Sequence, residues 1–348
     1  MTDFADQPIA ILGAGSWGTA LAYSLARGDH AVRLWARRPD LVATIDRERR
    51  NLDYLPNAVL PSRVAVTSDI DAAIAGCRLV VFATPSQSVR HVAEQIAAHV
   101  GPEHVILSVA KGIEVETLLT TSQVLRATLP NAAPERIGVL YGPSHAEEVG
   151  NGQATTVVIA MPDLEVARAA QEAFMTDVLR VYVNQDLIGV EIAGSVKNVM
   201  ALAAGMSDGV GLGDNAKAAL VTRGLAEIKR LGLALGADPH TFSGLAGLGD
   251  LIVTCFSRHS RNRYFGEQIG KGRSLEEVEE EMKMVAEGVK TTLSVRKLAE
   301  REGVEMPITE AVYRILFHHL RPEVAVYELM TRAAKREDLL AESLRDGG

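Results

Sequence analysis

Residues Ile9–Gly28, IAILGAGSWGTALAYSLARG, constrain the fold more than any other stretch. The apolar run Ile9–Leu12 reads as a buried strand that stops at Gly13-Ala14-Gly15, and the segment from Ser16 reads as a helix ending at Gly28. Gly13 permits the tight turn, Gly15 lets backbone approach a pyrophosphate, and Gly18 lets helix and strand pack closely. A bare glycine spacing of this kind is also compatible with a turn that binds nothing. Here a second strand, Ala31–Trp35, completes the strand–helix–strand context, so the turn is read as a dinucleotide site, with Ser16 and Trp17 among its contacts.

The pattern then repeats. Short runs rich in β-branched residues recur at Leu79–Ala83, His104–Val109, Ile137–Tyr141 and Thr155–Ala160, with helical stretches between them. Such alternation predicts an α/β unit, a Rossmann-type doubly wound and mainly parallel sheet. From about Asp186 onward the periodicity becomes helical, at 188–207, 215–235, 285–301 and 307–316. We therefore expect a dinucleotide-binding domain over 1–188, an all-helical substrate-binding domain over 189–340, and a tail at 341–348. A chain of 348 residues is long enough for two cores, and the ligand cleft belongs between them.

Composition narrows the partners. A net charge of −8 disfavours nucleic acid, whose phosphates demand a clustered excess of Lys and Arg. The N-terminus lacks a signal-peptide pattern, and no apolar run is read as approaching the roughly 18 residues of a membrane span, so neither secretion nor insertion is expected. Two cysteines, Cys77 and Cys255, suggest neither a disulfide framework nor a metal site, which fits a cytoplasmic location.

Several residues stand where chemistry is plausible. An NAD-selective site usually carries an acidic residue about 20 positions after its first glycine, at the end of the second strand. The chain has Ala36 there, followed by Arg37 and Arg38, a pair able to accept a 2′-phosphate, so NADP(H) is accommodated beside NAD(H). Solvated arginines at a helix start are the bland alternative. Lys111, in SVAKGIE, follows the C-terminal end of a strand, where open sheets bind ligands. The turn YGPSHAEEV ends a strand and opens a helix whose amides suit an anion. In GVEIAGSVKNVMALAAGM, Lys197 has Ala193, Gly194, Met200 and Ala201 one turn away and no carboxylate among them. Its alternative role is a lysine snorkelling out of its helix. Ser260, Arg261 and Asn262 offer a hydroxyl, a guanidinium and an amide at an expected helix start. His240 and His259 read as caps or packing groups, because no cluster has metal-ligand spacing, and no metal is expected.

Taken in order, GAGSWGTALA, FATPSQ, SVAKGIE, YGPSHAEEV, EIAGSVKNVMALAAGMSDG and GLAGLGDLIVTCFSRHSRNRYFG make the chain resemble the bacterial NAD(P)-dependent glycerol-3-phosphate dehydrogenases from about Ile9 to Leu316. The resemblance implies reversible reduction of dihydroxyacetone phosphate to sn-glycerol 3-phosphate for phospholipid synthesis, and a homodimer by analogy. It makes Lys197 the general acid and base, and gives substrate contacts to Lys111, Gly142, Ser144, Asp250, Ser260, Arg261 and Asn262. It gives cofactor contacts to Lys111, Ala146, Arg261, Val285 and Glu287. His145 departs from the aromatic or bulky residue usual in the family and puts that wall of the site in question. Two rivals remain: a ketopantoate-reductase or hydroxyacid type of dehydrogenase, which needs no phosphate clamp, and a non-catalytic NADP(H) sensor, which has no use for a proton donor.

Overall fold

The computed structural model describes Phe4 and residues 7–282 and 286–333. Eight strands, β1 (Ile9–Leu12), β2 (Val32–Trp35), β3 (Val64–Thr67), β4 (Leu79–Phe82), β5 (Val105–Ser108), β6 (Ile137–Tyr141), β7 (Thr155–Ala160) and β8 (Leu179–Asn184), form one sheet. Their order is β3-β2-β1-β4-β5-β6-β7-β8. Strands β3 through β6 pair in parallel, as the alternation predicts. β1 and β4 are buried at every position, which suits strands covered by helices on both faces.

Chain order reverses between β1 and β4, whose register pairs Leu12 with Phe82. The turns leaving both strands therefore emerge side by side, at the switch point where doubly wound sheets open a ligand crevice. Ala83 N donates to Leu12 O at 2.9 Å, so the two turns start from one ladder.

Three features differ from the sequence expectation. β3 and β8 were not anticipated; both are sheet edges, and β8 alternates buried and exposed residues at its start, a weaker signal than the apolar runs of the centre. β7 runs antiparallel to β6, because the short helix Ala146–Gly150 between them does not cross the sheet. The third concerns the helix Leu187–Val210. It is long and apolar enough to span a membrane by length and composition, contrary to the reading that no segment comes near, yet the relevant window is 94% buried within the fold. It is the core around which the later helices pack.

That packing depends on missing side chains. A Cβ on Gly205 would meet Arg263 O at 1.9 Å, and one on Gly266 would meet Leu202 O at 2.0 Å. The Leu187–Val210 and Arg261–Gly270 helices thus touch backbone to backbone, which carries the start of the second helix to the level of Lys197. The sheet ends at Asn184 and the helical series starts at Leu187. The expected tail at 341–348 lies outside the described residues.

Candidate functional site

One cleft of about 530 Å³ is lined by the turn after β1, the turns after β2, β4 and β5, and side chains of the helical half. Its first wall is backbone. Gly13 has φ +127°, and a Cβ there would sit 2.6 Å from Ala83 O, while a Cβ on Gly18 would sit 1.9 Å from Gly13 O. Both positions are closed to side chains. Above Gly15, by contrast, the space within 4 Å is open. Gly15 caps the helix Ser16–Arg27 without a side-chain hydrogen bond, so the first helical amides face the cleft where an anion would lie. Asn51 braces the turn from behind: its Nδ2 donates to Ala14 O and to Thr19 Oγ1, each at 2.8 Å.

Ser16 and Trp17 line the cleft, and Trp17 also packs on a small cluster containing Leu55 and Ala146. Ala146 is buried in that cluster and is absent from the cleft lining. Arg37 and Arg38 both reach the cleft, but they are not equivalent. Arg38 Nη2 lies 2.5 Å from Asp53 Oδ2, and Nη1 lies 4.0 Å from Asp40, so its charge is already countered. Arg37 has no ion pair among the described residues.

The opposite wall is made of side chains. Lys197, 6% exposed, donates to Asp250 Oδ1 at 2.5 Å and to Thr254 Oγ1 at 2.7 Å. Asp250 Oδ2 accepts from Lys111 Nζ at 2.8 Å, and that ammonium also donates to Gly142 O at 2.9 Å and lies 3.5 Å from Ser144 Oγ. Asp250 and Thr254 sit one turn apart on the helix Asp250–Phe256. A π-helical turn, Leu245–Gly249, leads into it and aims Asp250 inward; it has no room for a side chain at Gly247, whose Cβ would meet Phe242 O at 2.3 Å.

Burial lowers the Lys197 pKa to about 8, with Lys111 adding repulsion and Asp250 opposing the fall. Burial pulls Asp250 the other way, but the two ammoniums outweigh it and hold its carboxyl below the usual range. His145 is also depressed, first by burial and then by the Lys197 charge; its ring lies 5.8 Å from that of His259.

The SRN segment does start a helix, Arg261–Gly270, but its three side chains do different things. Ser260 caps the helix by accepting from Arg263 N. Asn262 is buried and points away from the role of a free donor: its Nδ2 donates to Asn198 Oδ1 at 3.0 Å, and its Oδ1 accepts from Gly288 N at 2.9 Å. Asn198 Nδ2 in turn donates to Lys111 O at 3.1 Å. That chain of amides ties both halves together beneath the cleft. Arg261 alone is left exposed, with no hydrogen bond or ion pair among the described residues, and its charge is felt by Glu287. Glu287 lines the cleft and accepts from Ser86 N at 3.0 Å and from Ser86 Oγ at 2.5 Å; burial raises its pKa. Val285 lies outside the described residues.

Sequence reading missed Asn51, Thr254 and the bracing amide of Asn198. Thr254 stands four residues after Asp250, one turn away on the Asp250–Phe256 helix, a helix that was not anticipated from the sequence. Asn51 had no local signal, because its partners are about ten helical turns of chain away. Among the described residues, no group of three or more His, Cys, Asp or Glu is placed to hold a metal ion.

Residues 8–167 match the family model described as NAD-dependent glycerol-3-phosphate dehydrogenase N-terminus, and residues 186–327 match its C-terminus. The chain is 59% identical over 338 residues to a glycerol-3-phosphate dehydrogenase [NAD(P)+] of Salinibacter ruber, covering 97% of this chain and 98% of that one. It is 54% identical to a protein of the same name from Chlorobium phaeobacteroides, over 94% of this chain and 98% of the relative. The crystal structure of glycerol-3-phosphate dehydrogenase from Coxiella burnetii superposes with a TM-score of 0.90 at 39% identity, covering 95% of this chain and all of that one. A ketopantoate reductase from Ralstonia eutropha, at 19% identity and TM-score 0.60, shares the fold alone.

Proposed function

This chain belongs to the NAD-dependent glycerol-3-phosphate dehydrogenase family, and from that premise we propose how its cleft works. It is an NAD(P)-dependent oxidoreductase that interconverts dihydroxyacetone phosphate and sn-glycerol 3-phosphate, supplying the latter for phospholipid synthesis. A dinucleotide fits the β1 wall: the space above Gly15 admits a pyrophosphate at the positive N-terminal end of the Ser16–Arg27 helix. Ser16, Trp17, Arg37, Arg38, Lys111 and Glu287 would hold the rest of it. When bound, the reduced cofactor supplies a hydride to the ketone carbon.

One observation carries the assignment of the acid and base: Lys197 is buried beside the cleft with a single carboxylate shared between it and Lys111. Negative charge that develops on the carbonyl oxygen during reduction is met by the Lys197 ammonium, which delivers the proton. In the reverse direction the neutral amine takes it back, and a pKa of about 8 makes both forms accessible near neutrality. Asp250 keeps Nζ in place and Lys111 keeps Asp250 in place. The substrate phosphate lies at the start of the Arg261–Gly270 helix, held by Arg261, the Ser260 hydroxyl and the first free amides; Asn262 serves by bracing that start. Ser144 forms the adjoining wall, and Gly142, which is not part of the lining, serves through its carbonyl by accepting from Lys111. A cytoplasmic location and a homodimer complete the proposal, supported respectively by two free buried cysteines and by family analogy.

The test is loss of reduced-nicotinamide absorbance with three candidate substrates. Turnover of dihydroxyacetone phosphate, with little for dihydroxyacetone or a 2-keto acid, is the expected result. Preference for the keto acid would favour a hydroxyacid or ketopantoate type of enzyme, and no turnover of any would leave a sensor.

A further inference from the structure

Glu191 is buried, ionisable and unused by the chemistry above. It stands on the Leu187–Val210 helix, and its carboxylate takes four hydrogen bonds from one short segment of the sheet half. Oε1 accepts from Ser122 N at 2.8 Å and Thr121 Oγ1 at 3.1 Å; Oε2 accepts from Ser122 Oγ at 2.6 Å and Thr120 Oγ1 at 2.8 Å. All four acceptor sites of a carboxylate are used. The gripped residues open the helix Thr121–Thr128, whose free amides and positive end favour an anion.

Two helical turns further along, on the same face, Asn198 grips Lys111 O. The segment 111–122 is therefore held at both ends by one helix, and its first residue, gripped through its carbonyl, is Lys111. Tyr141 adds a strut: its hydroxyl donates to Ala110 O and lies 3.3 Å from Thr121 Oγ1. Lys197 is on the gripping helix and Lys111 on the gripped segment, so the spacing of the two ammoniums across Asp250 depends on this clamp.

Resting on the reading of the cleft given above, we infer that Glu191 is a positioning residue for the reaction, setting Lys111 against Asp250 and through it the protonation of Lys197. The groups that face Lys197 are Asp250 and Cys255 from the Asp250–Phe256 helix, Lys111 from the segment after β5, and His145; Tyr141 faces Glu191. Lys111 repels the Lys197 charge, and its bond to Asp250 divides that carboxylate. Releasing Lys111 therefore removes repulsion and leaves Asp250 wholly to Lys197, so the Lys197 pKa rises.

The experiment is the pH profile of kcat/KM for glycerol 3-phosphate oxidation in Glu191→Gln, Lys111→Met and the double variant, with hydrogen exchange across residues 110–122. Glu191→Gln is expected to lower kcat/KM by roughly tenfold or more, the scale of a small misplacement. It should also move the profile upward by about half a unit or more, and speed exchange in 110–122. In the Lys111→Met background, Glu191→Gln should add no further shift. Ser122→Ala, which loosens the same clamp from the other side, should give a smaller shift of the same sign and serves if Glu191→Gln does not fold. A folded clamp variant with the parent's profile overturns the inference, as does a full shift that persists without Lys111. If Lys111→Met itself changes neither rate nor profile, the reading of the cleft fails and takes the inference with it.

Discussion

At the turn after β1 the groups that face the cleft are backbone, whereas across from it they are side chains. The turn is written in six consecutive residues, and each glycine answers a local steric question. The lysine wall draws Lys111, Lys197 and Asp250 from three separate elements, and its partners lie 53 and 139 positions apart in the chain. The difference teaches what each material is good for. Amides in a fixed turn offer a constant partial charge with nothing to titrate, which suits a ligand held through the whole reaction. Side chains with competing charges can lose and regain a proton, which suits the step itself.

The comparison breaks most visibly at Lys197. Lys197→Ala should lower turnover by roughly 10²–10⁴-fold, the usual scale for a general acid and base, while dinucleotide binding measured by fluorescence stays unchanged. In the parent, kcat/KM for oxidation should climb as pH rises through about 8, because the neutral amine is the base, and reduction should fall over the same interval. Equal losses of turnover and dinucleotide affinity would mean that the two walls do not divide the labour.

A smaller effect is expected at the helix start facing both walls. Arg261→Gln should weaken dihydroxyacetone phosphate by about 1.5–3 kcal/mol, the value of a charge-assisted hydrogen bond. It should barely affect dihydroxyacetone, so steady-state constants for the two substrates decide whether Arg261 holds the phosphate.

The turn's own wall has one titration-free selectivity test. Changing Arg37 and Arg38 together to Ser should weaken NADPH by about 1–3 kcal/mol and leave NADH nearly unaltered. Because Asp53 already counters Arg38, most of that loss should appear in Arg37→Ser alone. Binding titrations of the two single variants with each dinucleotide would expose an arginine pair that takes no part.

The mildest prediction concerns a buried charge outside the cleft. Glu227 accepts from Ile308 N at 2.6 Å, Thr309 N at 3.2 Å and Thr309 Oγ1 at 3.3 Å, yet burial raises its pKa to about 7. Its folded pKa lies above the ordinary carboxyl value of 4.5, so the folded state binds the proton more tightly. The stabilisation is complete below pH 4.5 and is lost as pH rises toward 7. The Tm of the parent relative to Glu227→Gln should decline over that window and level off above it. A flat difference would show that the carboxylate's hydrogen bonds hold its pKa near the unfolded value. In either case, a titrating group away from the cleft separates burial from function.

How much could be read beforehand follows the same division. The six anticipated strands and the glycine turn depend on neighbours in sequence, and they stand where expected. β3 and β8 escaped because an edge strand buries less and shows less pattern. At the site, resemblance named Lys111, Lys197, Asp250 and Arg261, but it treated Ser260, Arg261 and Asn262 as three parallel donors. In the folded helix start the Ser260 oxygen also accepts from Arg263 N as the cap, and the Asn262 amide is spent on Asn198 and Gly288, because consecutive helical side chains point in different directions. Likewise Arg37 and Arg38 looked alike until Asp53, from beyond the next helix, was placed beside one of them.

Sequence by itself determined six of the eight strands and their alternation with helices, the turn that only glycine can make, and the presence of a cation among small apolar neighbours at Lys197. Each of these rests on steric rules that act within a few residues. Only the tertiary structure decided that this cation has a partner, that the partner is shared with Lys111, and that Glu191 and Asn198 grip the segment between them. Those facts require elements distant along the chain to be brought together by burial, and a hydrogen bond's geometry exists only once both of its ends have been placed.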